Sequence, residues 1–219
     1  MSALRPAMTV VFGLRSPYAW MADHLIERYL PAEARARIAF VPFWNPRAET
    51  LDALRRAGGD FLYRDMAKDR HLYVLRDVRR LAAHLGLPLR WPVDRPDTDW
   101  EAAHRLYLRA EAEGRGADAR RLLFAARWTE GRDLSDEALL GEVADRLALN
   151  PETPAPDTAA VIAPLLAAHR LRTFGLPYLA VGADRFWGCD RLAFALAAAG
   201  LPHRGVADAW AGGALEEAA

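Results

Sequence analysis

The sequence predicts an α/β protein: a four-stranded core in the order β-α-β … α-β-β-α, split by a large helical insertion. Three observations lead there. Short runs rich in β-branched and aromatic residues sit near the start and again near the end of the chain, as buried strands do. Between them, from about residue 49 to 172, apolar residues recur three and four apart, the spacing of helices that bury one face. Glycine and proline mark the changes of pattern. The division that follows is 8–47 with 170–203 as the α/β core, 48–169 as the insertion and 204–219 as a tail.

Taken in order, Thr9-Val10-Val11-Phe12-Gly13 reads as a buried strand that stops at its glycine. A turn follows. Ser16-Pro17 then opens an apolar stretch from Tyr18 to Leu30, with serine as N-cap and proline at the first helical position, both favoured there. Pro31 breaks that helix, and Arg37 to Phe43 alternates as a second strand. Leu72, Leu75, Val78, Leu81 and Leu85 form one helical stripe. Leu139, Leu140, Val143 and Leu147 form another, for which Asp133-Leu134-Ser135 offers a cap. Gly86-Leu87-Pro88, the stretch Pro92 to Pro96 and the stretch Asn150 to Pro156 separate helices. Phe174 to Gly188 returns to strand character as a hairpin turning at Gly182 to Asp184, and a last helix from Asp190 to Ala199 ends at Gly200. From Gly205 onward the residues are small and weakly patterned and are expected to fray.

Composition narrows the function. With 29 basic and 29 acidic residues the formal charge is zero, so no global field favours nucleic acid or an anionic membrane, and a small-molecule partner is expected. No apolar run approaches the roughly 20 residues of a membrane span, and Met1 to Met8 holds no signal-peptide core; a cytoplasmic location is expected. The single cysteine, Cys189, excludes a dithiol mechanism within one chain and fits a reducing compartment. The six histidines lack zinc spacing, so no metal is implied, and no Gly-x-Ser-x-Gly elbow marks a hydrolase.

Three segments carry chemistry. Ser16 stands where a helix begins, beside unpaired N–H groups and the positive end of the helix dipole. It is either a plain N-cap or a hydroxyl that donates to a ligand thiolate held there. Leu176-Pro177 enters a strand; a cis bond would free the backbone of Leu176 to pair with an extended ligand, whereas a trans proline would be an ordinary strand start. Gly188-Cys189-Asp190-Arg191 turns from strand into helix, where N–H groups suit a ligand carboxylate and Asp190 suits an ammonium, unless Asp190 is simply the cap.

Together, Ser16-Pro17-Tyr18 after a strand, Phe174-Gly175-Leu176-Pro177, and Phe186-Trp187-Gly188-Cys189-Asp190-Arg191-Leu192 resemble the hallmark segments of the 2-hydroxychromene-2-carboxylate isomerase and kappa-class glutathione transferase family, within the DsbA-like thioredoxin fold. The stretch from His71-Leu72-Tyr73 through Asp77, Arg80 and Gly86-Leu87-Pro88-Leu89 follows the same pattern, as does that from Leu123-Phe124 through Trp128 to Asp133. The likeness covers most of Val10 to Leu201. It implies a thioredoxin-like core with a helical domain, and a homodimer. Where disulfide-forming relatives carry Cys-x-x-Cys, this chain has Ser16-Pro17-Tyr18-Ala19. The resemblance therefore implies glutathione, or another low-molecular-weight thiol, as cofactor: Ser16 polarises its sulfur, the backbone at Leu176 and Pro177 pairs with its cysteinyl part, and Cys189 and Asp190 hold its γ-glutamyl end. Adding the thiolate to a conjugated carbonyl compound turns a double bond into a single bond; rotation and elimination then give the isomer.

One stretch departs from the family. Where the isomerases carry a Gly-rich segment with Lys and Asn, this chain has Phe43-Trp44-Asn45-Pro46-Arg47. Asn45, Arg47 and Arg70 either hold a carboxylate or are solvated charges and polar groups. Tyr18, Trp20, Trp44 and Trp187 either line an aromatic pocket or belong to the core. The expected activity is a thiol-dependent cis-trans isomerase of an unsaturated aromatic or polyketide-like carbonyl compound. Alternatives are a glutathione transferase, a cofactor-free isomerase or lyase, and a non-catalytic binding module.

Overall fold

The computed structural model describes residues 5–64, 66–92, 94–95 and 98–212. Residues 1–4, Pro96 and the end of the tail, 213–219, lie outside the described residues. The chain runs β1 (Met8–Phe12), α1 (Pro17–Tyr29), α2 (Ala32–Arg35), β2 (Ile38–Pro42), α3 (Ala48–Arg56), α4 (Lys68–His84), α5 (Trp100–Ala112), α6 (Gly116–Phe124), a π-helical turn (Ala125–Thr129), α7 (Glu137–Arg146), α8 (Thr158–Arg170), β3 (Tyr178–Val181), β4 (Asp184–Trp187), a 3-10 turn (Cys189–Arg191), α9 (Leu192–Ala198) and α10 (Arg204–Gly212).

The sheet order is β2-β1-β3-β4. β1 pairs parallel with β2 and antiparallel with β3, and β3 and β4 form the hairpin, which turns through Gly182 at φ 52°. This is the thioredoxin-like arrangement of an α/β class protein, as the strand order in the sequence leads one to expect. Alternation within β1 sets the layers. Val10 and Phe12 join Leu25, Ile26 and Leu196 of the α1 and α9 side, while Val11 joins Leu54 of α3 and Val161 and Leu165 of α8 on the other. Each fully buried Leu or Ile contributes about 1.5–3 kcal/mol. Helices α3 and α8 thus pack with the sheet, inside the span 48–169 read as insertion. The remaining helices share the larger cluster with α1, through Tyr107, Leu123, Phe124 and Leu139.

Two local readings need correction. The residues after Gly205 do not fray as far as Gly212: they form α10, because Val206 buries completely and Trp210 stacks on His84 at 5.9 Å. The His84 Nε2–H donates to the carbonyls of Ala209 and Trp210, both at 3.1 Å. The cap of α7 is Asp136, which accepts from Ala138 N–H; Asp133 instead closes its own turn by accepting from Ser135.

Long-range polar ties join the helical group to the core. Asp23 of α1 and Arg120 of α6 form a buried ion pair at 2.8 Å, with the Arg120 guanidinium 3.4 Å above the Phe40 ring. Burial pushes the Asp23 carboxyl up in spite of its partner, so removing both charges from water costs about as much as their attraction returns. The buried carboxylate of Glu101 accepts from Trp44 Nε1, Arg47 N, Thr50 Oγ1 and Arg105 Nε at 2.8–3.3 Å, holding the β2–α3 loop on α5.

The third tie grips the β1–α1 loop. Leu14 is fully buried; its N–H donates to His104 Nε2 at 3.3 Å and its carbonyl accepts from Trp128 Nε1 at 3.0 Å. His104 Nδ1–H donates to Trp100 O at 2.6 Å, which fixes the neutral tautomer. Burial pushes the His104 pKa down to about 4.

Because that value lies below the unfolded pKa of about 6.5, the unfolded chain binds more protons between the two; stability is full above about pH 6.5 and falls as pH approaches 4. Chemical denaturation of wild type and His104→Gln, which keeps a donor and an acceptor but takes up no proton, should show an extra loss of about 3 kcal/mol between pH 7 and 4 in the wild type alone. Parallel curves would contradict the buried neutral imidazole. For the ion pair, Arg120→Met should cost about 3–5 kcal/mol, and Asp23→Leu with Arg120→Met together much less.

Candidate functional site

The site is built where β1 ends. Gly13 permits a close convergence: a Cβ there would stand 2.6 Å from the Phe43 carbonyl oxygen and 2.7 Å from a Leu176 methyl, so only glycine lets β1, β2 and the approach to β3 meet. The loop Gly13-Leu14-Arg15 then delivers Ser16 to the head of α1. Ser16 is the N-cap in extended conformation, Pro17 follows at N1, and the Ser16 hydroxyl oxygen accepts from Ala19 N–H at 3.2 Å. The first turn of α1 contains no acidic residue, so no side chain of its own neutralises the positive helix end. The Ser16 O–H reaches the Leu176 carbonyl at 3.4 Å, a long and weak bond. Leu176-Pro177 is cis.

Around this centre the other expected residues fall into two groups. Tyr18 points from α1 to α4, its hydroxyl donating to Asp77 Oδ2 at 2.8 Å; burial and that carboxylate hold the phenol protonated, its pKa pushed far up. Asp77 also accepts from Tyr73 Oη at 3.3 Å and Arg80 Nη2 at 3.0 Å. Trp187 is 45% exposed and Phe174 52% exposed; their rings meet edge to face at 5.1 Å, and Arg70 of α4 lies 5.6 Å over Trp187. Gly175 makes room for that indole, since a Cβ would come within 2.5 Å of Trp187 Nε1. Beyond it Gly188, at φ 109°, donates its N–H to Pro177 O at 3.1 Å. Cys189 is 1% exposed, and burial pushes its thiol up to about 12, so it is an inert packing group. Asp190 is exposed and paired with Arg191 at 2.7 Å; it is not a side-chain helix cap.

The second group is engaged elsewhere. Trp44 is buried, bonded to Glu101 and stacked on His104 at 5.0 Å. Of the two readings given for its ring, pocket wall or core, the structure shows core. Trp20 likewise stacks on Trp128, at 6.2 Å. Arg47 pairs with Asp99, which holds its guanidinium above its ordinary pKa, so the carboxylate role expected for it is taken by the chain itself. Asn45 is half-buried in the same loop. Sequence reading assigned no role to Asp77, Glu101, His104 or Trp128, each of which acts on a residue 50 or more positions away. A buried-polar signal was there in outline: His104 and Glu101 sit on the apolar face of α5.

Among the described residues no group of His, Cys, Asp and Glu could hold a metal ion, and no helix is long and apolar enough to cross a membrane. No curated protein matches the chain by sequence. Solved structures do. A 2-hydroxychromene-2-carboxylate isomerase is 20% identical with a TM-score of 0.61, over 88% of this chain and 94% of its own. A putative protein disulfide isomerase from Nitrosomonas europaea is 15% identical with a TM-score of 0.60, over 88% and 96%. A probable DsbA oxidoreductase from Streptomyces coelicolor is 16% identical with a TM-score of 0.53, over 94% and 90%. At these identities the likeness is one of fold. The family model described as a DSBA-like thioredoxin domain matches residues 7–199, and the chain belongs to that family.

Proposed function

We propose that the chain is a thiol-dependent cis-trans isomerase, using glutathione or a similar small thiol and acting on an unsaturated aromatic or polyketide-like carbonyl compound. One observation carries the reading: a hydroxyl, not a thiol, caps α1, while the one cysteine is buried and protonated. A chain so built lacks a nucleophilic sulfur of its own at this helix head.

The residues fit a thiol peptide. The head of α1 suits a sulfur anion, and the backbone of Leu176 lies beside it. A Cβ at Gly188 would fall 2.4 Å from Asp190 Oδ1, so the glycine lets the Asp190 carboxylate lie close against the backbone at this turn. The exposed pair Asp190 and Arg191 offers a carboxylate for an ammonium and a guanidinium for a carboxylate, the complement of an amino-acid head group. The thiol would supply a polarisable nucleophile able to add to a conjugated double bond and leave again. Ser16 turns its proton from the distant Leu176 carbonyl toward the sulfur, and the Ala19 N–H on its oxygen strengthens it as a donor. Tyr18, locked to Asp77, keeps its proton and walls the site on the α4 side. Trp187 and Phe174 present aromatic faces for a planar compound, with Arg70 above.

Isothermal titration with reduced glutathione should show micromolar to low-millimolar binding, weakened about tenfold or more in Ser16→Ala because a hydrogen bond to a charged sulfur contributes about 1.5–3 kcal/mol. Absence of binding to about 10 mM, an affinity weaker than about −3 kcal/mol, would sink the glutathione reading. With a turned-over substrate in hand, a product of unchanged mass marks an isomerase and a thiol adduct marks a transferase.

A further inference from the structure

Arg127, in the π-helical turn after α6, is 2% exposed, yet its guanidinium is only partly satisfied. Nη2 donates to Asp94 Oδ1 at 2.7 Å; Nε and Nη1 are buried with no partner among the described residues. The group lies against two indoles, 4.6 Å from the centroid of Trp100 and 4.9 Å from that of Trp128. The Trp91 ring meets Trp128 edge-on at 6.1 Å, and its Nε1–H is also buried without a partner. All three orphan atoms are donors. Leaving one buried donor unpaired costs about 1–3 kcal/mol, and more for a charged group, so native proteins rarely do so.

Asp94 does not balance the charge, because it is shared. Arg15 Nε stands 3.8 Å from Asp94 Oδ2, and the Arg15 guanidinium lies 5.0 Å over the ring of Trp100. Among the described residues two guanidiniums, those of Arg15 and Arg127, therefore share the one carboxylate of Asp94. Two guanidiniums on one carboxylate leave one positive charge in excess, held on buried donors beside the half-exposed Arg15 side chain.

We propose that Arg15 and Arg127 form a binding site for a small carboxylate, which enters past Arg15, accepts from the unpaired donors of Arg127 and balances the charge. The class of ligand follows from the cluster. A single excess charge matches a monoanion rather than a phosphate dianion, and a guanidinium fits the planar fork of a carboxylate better than a spherical halide. The site lies one residue along the chain from Ser16 but does not depend on any thiol binding there.

The probe is acetate, titrated calorimetrically against the folded protein and compared with chloride at matched ionic strength. The site predicts saturable acetate binding that chloride does not reproduce. Arg15→Gln should weaken it about tenfold or more. Asp94→Asn removes the competing carboxylate and should tighten it about tenfold, an outcome that a purely structural ion pair would not give. Arg127→Met risks the fold and is not needed. No saturation to ~100 mM acetate, an equal response to chloride, or affinities unchanged in Arg15→Gln and Asp94→Asn would each overturn the proposal.

Discussion

Everything at the candidate site depends on how the peptide of Leu14 is held. Its N–H and its carbonyl are both bonded, on opposite sides, to side chains from the helical region, His104 and Trp128. A loop leaving a strand at the end of a sheet has backbone groups that the sheet no longer pairs, and burying them without partners would cost more than the loop's contacts return. The helical region supplies those partners. It thereby fixes where α1 starts, and with it the Ser16 hydroxyl. Helices α5, α6 and α7 of the span 48–169 share the larger cluster with α1 and the sheet, while α3 and α8 pack on the sheet's other face.

The same logic explains the distribution of charge. Polar side chains buried or half-buried between helices are spent on architecture: Glu101 holds the β2–α3 loop, Asp23 and Arg120 join α1 to α6, and the half-buried Asp77 draws Tyr18 toward α4. None of them is an acid in the first turn of α1, so no side chain of that turn neutralises the positive end of the helix. Cys189, buried and held protonated, is likewise a packing group. The rings of Trp187 and Phe174 are exposed, edge to face, with Arg70 over Trp187.

Much of the fold is legible in the sequence because its signals are local. Strand composition, the Ser16-Pro17 cap, the two-residue turn at Gly182 and the glycine at 200 are each decided within a few residues, and each stands where the pattern indicates. Of the expected site residues, Ser16 meets Leu176, Tyr18 bonds to Asp77 on α4, and Arg70, also on α4, lies over Trp187. What was illegible depends on pairing at a distance. Nothing near Trp44 or Arg47 announces that Glu101 and Asp99 will claim them, and the conformation of the Leu176-Pro177 bond has no local sequence signal strong enough to override its base rate. The segment after Gly205 looked featureless because two anchors, Val206 and Trp210, suffice for a nine-residue helix packed on α1 and α4.

The most direct measurement concerns the electrostatics at residue 16. The Ser16→Cys variant places a thiol at the head of α1 in a chain whose other thiol is 1% exposed and silent. The rate of its alkylation by iodoacetamide, followed against pH, reads the pKa of the introduced group. If the head of α1 is built to hold a thiolate, that pKa falls well below the unperturbed value of about 8.5, to about 7 or lower. A value at or above about 8.5 would mean that the hydroxyl of Ser16 is a helix cap and nothing more.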